Sequence, residues 1–235
     1  MKGKVGIRSF IIFYLLIFSL FLIGTFAGNY AVTAISEVTP LPNRWCIVID
    51  AGHGGVDGGA TSCTGILESA INLDISMRLN DLFHLLGYET LMIRNSDISV
   101  YTEGESIAAK KMSDLKQRVK LVNETEKALL ISIHQNHFSD SRYYGAQVFY
   151  AKGTESETLA KKLQSSLVTS LNPGSKRMTK KANGVYIMEH ILCPGVLIEC
   201  GFLSNPTEEA KLRDKEYQKL LCCVIAATIT QYIDA

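Results

Sequence analysis

Short, almost wholly apolar runs that alternate with helical stretches constrain the fold of this 235-residue chain more than any other feature. Residues 45–50, 90–94, 128–133, 145–150 and 195–199 each predict a strand, because each is brief, apolar and bounded by turn-forming residues. Between them lie helical periodicities. Glu68, Ile71, Ile75, Leu79, Leu82 and Leu86 share one face of a helix over 68–86, and Gly87 is placed to stop it. Ser113 predicts the cap of a helix to about 126, with Leu115, Val119 and Val122 on one face. Thr154 with Glu157 reads as a capping box for a helix to about Leu171. Asn205-Pro206 opens another helix, and a last one covers 215–232. Strands without polar alternation belong to a sheet covered on both faces. The expected fold is therefore α/β: a single domain with a twisted, mostly parallel or mixed sheet and helices on both faces.

The first thirty-odd residues stand apart from that pattern. Lys2, Lys4 and Arg8 precede a 17-residue apolar run from Phe10 to Phe26, and small and polar residues follow. Such a run is longer than the usual ~7–15 residues of a signal core and at the low end of the ~17–25 that span a bilayer. Residues 1–34 are expected to be a signal peptide, with Ala31-Val-Thr-Ala34 as cleavage site, or a retained membrane anchor. Either one exports the rest. Residues 35–44 read as a linker and 45–235 as the catalytic domain, of a size that supports one good core.

Removing the leader leaves 21 basic and 23 acidic residues, a net charge of −2. No basic tail or basic-aromatic interleaving points to nucleic acid. The cysteines at 46, 63, 193, 200, 222 and 223 form no Cys-x-x-Cys pair, which argues against a cysteine zinc site or a redox motif. Cys46, Cys200, Cys222 and Cys223 lie in apolar runs and are read as small core residues.

Four segments place polar chemistry against this apolar background: Ile47-Val-Ile-Asp-Ala-Gly-His-Gly-Gly55, Leu67-Glu-Ser-Ala-Ile-Asn72, Ser132-Ile-His-Gln-Asn136 and Val196-Leu-Ile-Glu-Cys-Gly-Phe202. His53 lies in a glycine-rich turn that has neither the Gly-Lys-Ser/Thr ending of a phosphate loop nor a dinucleotide spacing. Glu68 has an ordinary account as a first-turn acid favouring the helix dipole, worth ~0.3–1 kcal/mol, yet it lies on the apolar stripe, where a charge needs a partner. His134 ends the run Ala-Leu-Leu-Ile-Ser-Ile. Asn136 shares its strand face and suits a supporting or substrate contact, as does His137 three residues on. Glu199 stands among Val196, Leu197, Ile198 and Phe202, where an unpaired carboxylate would cost several kcal/mol. Two histidines and a glutamate, His53, Glu68 and His134, suit a catalytic zinc with one open position, leaving Glu199 as an acid or base that is not a ligand. Sites in such sheets form at the carboxyl ends of strands. His84 and His190 carry no such signal. The chemistry implied is that of a hydrolase.

Asp-Ala-Gly-His53-Gly-Gly with Asp57-Gly-Gly, Glu68, Ser-Ile-His134-x-Asn136, and Glu199-x-Gly-Phe-Leu-Ser-Asn205-Pro resemble the zinc-dependent N-acetylmuramoyl-L-alanine amidases of the third amidase class. The likeness runs from about residue 46 to 232. It implies that His53, Glu68 and His134 bind Zn2+ and that Glu199 is catalytic. The absence of wall-binding repeats, the export segment and the stretch Lys110-Lys-Met-Ser-Asp-Leu115 before Arg118 look like the sporulation and germination amidases of endospore formers. That subgroup would act on the stem peptide and glycan of spore-cortex peptidoglycan, so that a deacetylase can form muramic lactam, with an activating or anchoring protein partner. His137 departs from the family, which often has a small residue there. Two rivals stay open: a zinc peptidase cutting between stem residues, and a wall-binding protein acting through partners. A serine hydrolase is disfavoured because no Gly-x-Ser-x-Gly elbow appears.

Overall fold

The computed structural model describes residues 45–234, together with the helical residues Phe18 and Ser19. The expected leader and linker otherwise lie outside the described residues. Twelve elements follow in order. They are β1 (Cys46–Ala51), α1 (Glu68–Leu85), β2 (Glu89–Met92), α2 (Ile107–Glu124), β3 (Ala128–Asn136), β4 (Gln147–Tyr150), α3 (Thr154–Leu171), β5 (Lys180–Lys181), α4 (Tyr186–His190), β6 (Gly195–Phe202), α5 (Pro206–Arg213) and α6 (Lys215–Ile233). The six strands form one sheet in the order β2-β1-β3-β6-β4-β5. Pairings β1–β2, β1–β3, β3–β6 and β4–β5 are parallel, and β4 runs antiparallel to β6. The sheet is thus mixed.

Strand side chains alternate between two cores, as a period of two requires. Ile47, Ile49, Leu129, Ile131, Ile133, Val196 and Ile198 pack with residues of α1, α3 and α6. Val48, Leu130 and Leu197 face the other way, against Val122 of α2 and Ile187 and Met188 of α4. Burying such runs contributes roughly 25 cal/mol per Å² of apolar surface, which explains why the strands carry so little polar alternation. The polar exceptions on the α2/α4 face include Asp50, Ser132, His134, Glu199 and Gln147. They mark where the site is built.

Several local expectations are corrected. The second helix starts at Ile107, six or seven residues early, because Ser106 caps it by accepting from the Ala109 amide. Ser113 is inside that helix, and its hydroxyl instead accepts from the amides of Thr102 and Glu103 in the preceding loop. Thr154 is the first helical residue; Gly153 stands before it with no side-chain cap. Asn205 caps α5 as expected, accepting from Thr207 and Glu208. Strands β3 and β6 run three residues further than their apolar runs, so His134 and Glu199 sit inside strands rather than at their ends. His190 closes the short helix α4, stacked on Tyr186 with ring centroids 4.0 Å apart. Cys223 is exposed, since one step round α6 from buried Cys222 turns it to solvent. No helix among the described residues is long and apolar enough to cross a membrane.

Candidate metal centre

His53 lies two residues beyond β1 with a positive φ of 62°. Two buried arginines hold that turn. Arg94 donates to the carbonyls of Ala51, Gly52 and Ser69 at 2.7, 3.0 and 2.8 Å. Arg118, on α2, donates to the carbonyls of Ala51 and His53 and is paired with Asp50 and Asp114. Asp50 also accepts from Ser132 at 2.6 Å. Burial pushes Asp50 up, but Arg118, His134 and Ser132 outweigh it and hold the carboxyl below its ordinary range.

Glu68 begins α1 and joins the two histidines. Its Oε2 stands 3.3 Å from His53 Nε2 and its Oε1 3.1 Å from His134 Nδ1. Amides of Ala60 and Gln135 and the Asn72 side chain donate to the same carboxylate at 3.0, 3.1 and 3.2 Å. Burial raises the Glu68 pKa, yet the bonds with His134 and His53 outweigh it, and the group stays ionised far below the usual carboxylate range. Asp57 fixes the other side of His53, at 3.0 Å from Nδ1, and is itself paired with Lys111 at 3.0 Å. Burial lowers the His53 pKa, but Glu68 and Asp57 raise it further, for a net upward shift.

Glycine is required where these side chains close in. A Cβ on Gly52 would stand 2.3 Å from the His134 ring, and one on Gly59 would stand 2.6 Å from Glu68 Oε2. Both approaches need bare backbone.

One potential ligand atom from each of His53, Glu68 and His134 lies within 4.8 Å of the others. The two histidines approach different oxygens of Glu68, at 3.3 and 3.1 Å, so all three residues present donor atoms to one small space. The donor set, two imidazoles and a carboxylate, fits zinc with a position to spare.

Glu199 pairs in register with His134 across the parallel β3–β6 ladder, so both side chains leave the same face. Its Oε2 is buried with no hydrogen-bond partner, and burial pushes its pKa up to about 7. Nearby Glu68 adds to the rise, and His134 and His53 oppose it. A carboxyl with an ordinary value of 4.5 is thereby poised to hold or release a proton near neutrality. Asn136 follows a register shift after His134 and is half-buried; its carbonyl accepts from Leu203, and its side chain bonds to no described residue. His137 is exposed beyond β3 and lies outside the three-residue set. Sequence reasoning missed Asp50, Arg94, Arg118 and the Asp57 contact to His53. The signal available was a charge inside Ile-Val-Ile-Asp50, which had to find a buried cation.

Residues 47–231 match the family described as N-acetylmuramoyl-L-alanine amidase. The chain belongs to that family. The amidase is 39% identical over 188 residues to the germination-specific N-acetylmuramoyl-L-alanine amidase of Bacillus subtilis (strain 168), covering 79% of this chain and 78% of the relative. Among solved structures, it resembles the CwlD amidase from Clostridioides difficile in complex with the GerS lipoprotein. The TM-score is 0.78 at 35% identity, covering 81% of this chain and 99% of that one. An N-acetylmuramoyl-L-alanine amidase from Clostridium difficile 630 aligns with a TM-score of 0.70 at 30% identity, over 82% of this chain and 98% of that one. The six-stranded mixed sheet with helices on both faces is thus shared with other amidases of peptidoglycan.

Proposed function

We propose that this amidase is zinc-dependent, with His53, Glu68 and His134 as protein ligands and Glu199 as its general acid and base. The observation that carries the reading is the in-register pair of His134 and Glu199, which sets an unpartnered, proton-retaining carboxylate beside the donor set. Zinc held there would supply a Lewis acid for the scissile carbonyl and for the activation of water. Glu199 takes the proton of the attacking water and returns it to the departing alanine amine. Glu68 and Asp57 fix the His53 ring from both sides, and Glu68 holds the His134 ring through Nδ1. Asn136 and His137 border this face and are proposed to meet substrate or the rim of the cleft.

The bond cut joins the lactyl group of N-acetylmuramic acid to L-alanine. Likeness to a germination-specific relative supports a role in spore-cortex maturation, in which freed muramic acid passes to a deacetylase and becomes muramic lactam. The solved structure of a relative with a lipoprotein supports a protein partner here too. Action outside the cytoplasm, with the leader as signal or anchor, follows from a wall substrate.

Metal analysis of the purified protein and mass spectrometry of digested peptidoglycan test the reading together. The expected products carry a free alanine N-terminus and intact bonds between stem residues. Cleavage between stem residues would favour a zinc peptidase, and no cleavage with retained wall affinity would favour a binding protein. Cortex muropeptides from cells with and without the gene test the biology: muramic lactam should disappear. Unchanged lactam with an altered vegetative wall would reassign it to housekeeping.

A further inference from the structure

A row of polar side chains crosses the sheet from the metal centre towards its far edge. His134 on β3 opposes Glu199 on β6, and Glu199 opposes Gln147 on β4, all in register and so on one face. Beyond Gln147 opens a cavity of about 620 Å³, lined by Tyr143, Tyr144, Gln147, Lys176, Arg177 and Lys180 among others. That volume is in the range of small-ligand pockets.

The cavity holds an arginine fixed by neutral groups. Arg177 Nε donates to the Tyr144 carbonyl at 2.8 Å and Nη1 to Gln147 Oε1 at 2.7 Å. Its guanidinium lies 4.5 Å from the Phe202 ring centroid and 5.9 Å from that of Tyr143. Gln147 is oriented for this bond because its own amide donates to the Met178 carbonyl at 2.8 Å. Among the described residues Arg177 forms no ion pair. Glu208 acts on it electrostatically, but Glu208 Oε2 is occupied by the amides of Gly145 and Phe202 at 2.7 and 3.2 Å. A guanidinium has five N–H donors in a planar fork that matches a carboxylate; Nη2 is left free to donate. Lys176 and Lys180 line the cavity too, and among the described residues neither forms an ion pair.

Resting on the reading of Glu199 as the catalytic carboxyl, we propose that this cavity is a substrate subsite in which Arg177 binds a carboxylate of the stem peptide, on the residue that follows alanine. Neighbouring strands are about 4.8 Å apart, and an extended residue spans about 3.3–3.6 Å. From a scissile amide at Glu199, the residue after alanine therefore reaches the cavity mouth beyond Gln147. In peptidoglycan that residue is a γ-linked glutamate, whose α-carboxyl is either free or amidated. Arg177 is then a specificity-determining residue that favours the free acid over the amide.

The test is calorimetric binding of two synthetic peptides to the purified amidase: L-alanyl-D-isoglutamate and L-alanyl-D-isoglutamine, each with its γ-carboxyl blocked as a methylamide. The acid should bind about 10- to 150-fold more tightly, the worth of one hydrogen-bonded charge. Arg177→Gln should remove that preference, and Arg177→Lys should keep part of it. Equal affinity of the two peptides for the wild type overturns the proposal, as does a preference that survives Arg177→Gln. Should Arg177→Gln fail to fold, Arg177→Lys and Lys180→Ser decide it: both must weaken the preference, and no change in either overturns it. Neither peptide contains the scissile bond, so binding is read apart from turnover, which is followed separately as cleavage of peptidoglycan. Acid preference in a protein that does not cleave peptidoglycan would reject the amidase chemistry alone, whereas cleavage without preference would reject the subsite alone.

Discussion

Arg118 donates to the main-chain carbonyl of His53 from 2.8 Å away, although 65 residues separate the two. The same guanidinium is buried against Asp50 and Asp114. A stability ion pair has in this way become the fixture for a strained turn, because His53 is held at a φ that L residues seldom adopt.

Arg118→Met should destabilise the fold by about 3–5 kcal/mol, since Asp50 would be left buried without a cation. Thermal or urea unfolding measures it. A loss under about 1 kcal/mol would show that Ser132 and the neighbouring dipoles suffice for Asp50.

The proposed ligands make a second prediction. His53→Ala and His134→Ala should each abolish stoichiometric zinc and turnover together while leaving the domain folded. Atomic absorption of the dialysed proteins reads the metal. Full zinc in both variants would reject the ligand set.

Asp57→Asn should act more gently. It keeps a hydrogen-bond acceptor at 3.0 Å from His53 Nδ1 but loses the charge that raises the ring's basicity. Zinc affinity is expected to fall about 10- to 100-fold, as for other groups that orient a ligating histidine. Competition with a chromophoric chelator measures it, and unchanged affinity would make Asp57 merely a partner of Lys111.

Much of this was legible in the sequence, for a physical reason. Strands buried on both faces must be apolar, so His134 and Glu199 stood out as exceptions, and the parallel register of β3 and β6 sets them side by side. What the sequence hid depends on long-range pairing. Nothing local to Arg118 or Arg94 says that each reaches the His53 turn. Ser113 looks like a cap because a serine before an apolar periodicity usually is one, yet its hydroxyl is committed to Thr102 and Glu103. The β3 and β6 ends were misplaced for the same reason the site exists: polar residues continue the strands past their apolar runs.

Glu199→Gln keeps the size of the side chain and removes its basicity. Turnover should drop by about 10²–10⁴, the usual worth of general acid-base catalysis, with zinc retained. Near-normal turnover would make Glu199 structural.

The same substitution predicts a pH effect on the metal-free protein. Below about pH 4.5 Glu199 is protonated in native and unfolded chains alike. Between there and about pH 7 the unfolded chain releases its proton while the native one keeps it, so stability falls as pH rises. Above pH 7 metal-free Glu199→Gln should therefore be the more stable protein, by up to about 3 kcal/mol, and the two should converge in acid. Unfolding curves at pH 4 and pH 8 settle it, and a constant difference would place the cause elsewhere.

Glu68 already bridges both histidines through its own two oxygens, and main-chain amides hold it there. An arriving cation would exchange those bonds for coordination instead of recruiting scattered side chains. Those bonds alone draw the three side chains together, in contrast to sites whose ligands meet only around their ion. On the proposed zinc reading, loading is then a step separate from building the site, and the supply of the ion decides when turnover begins.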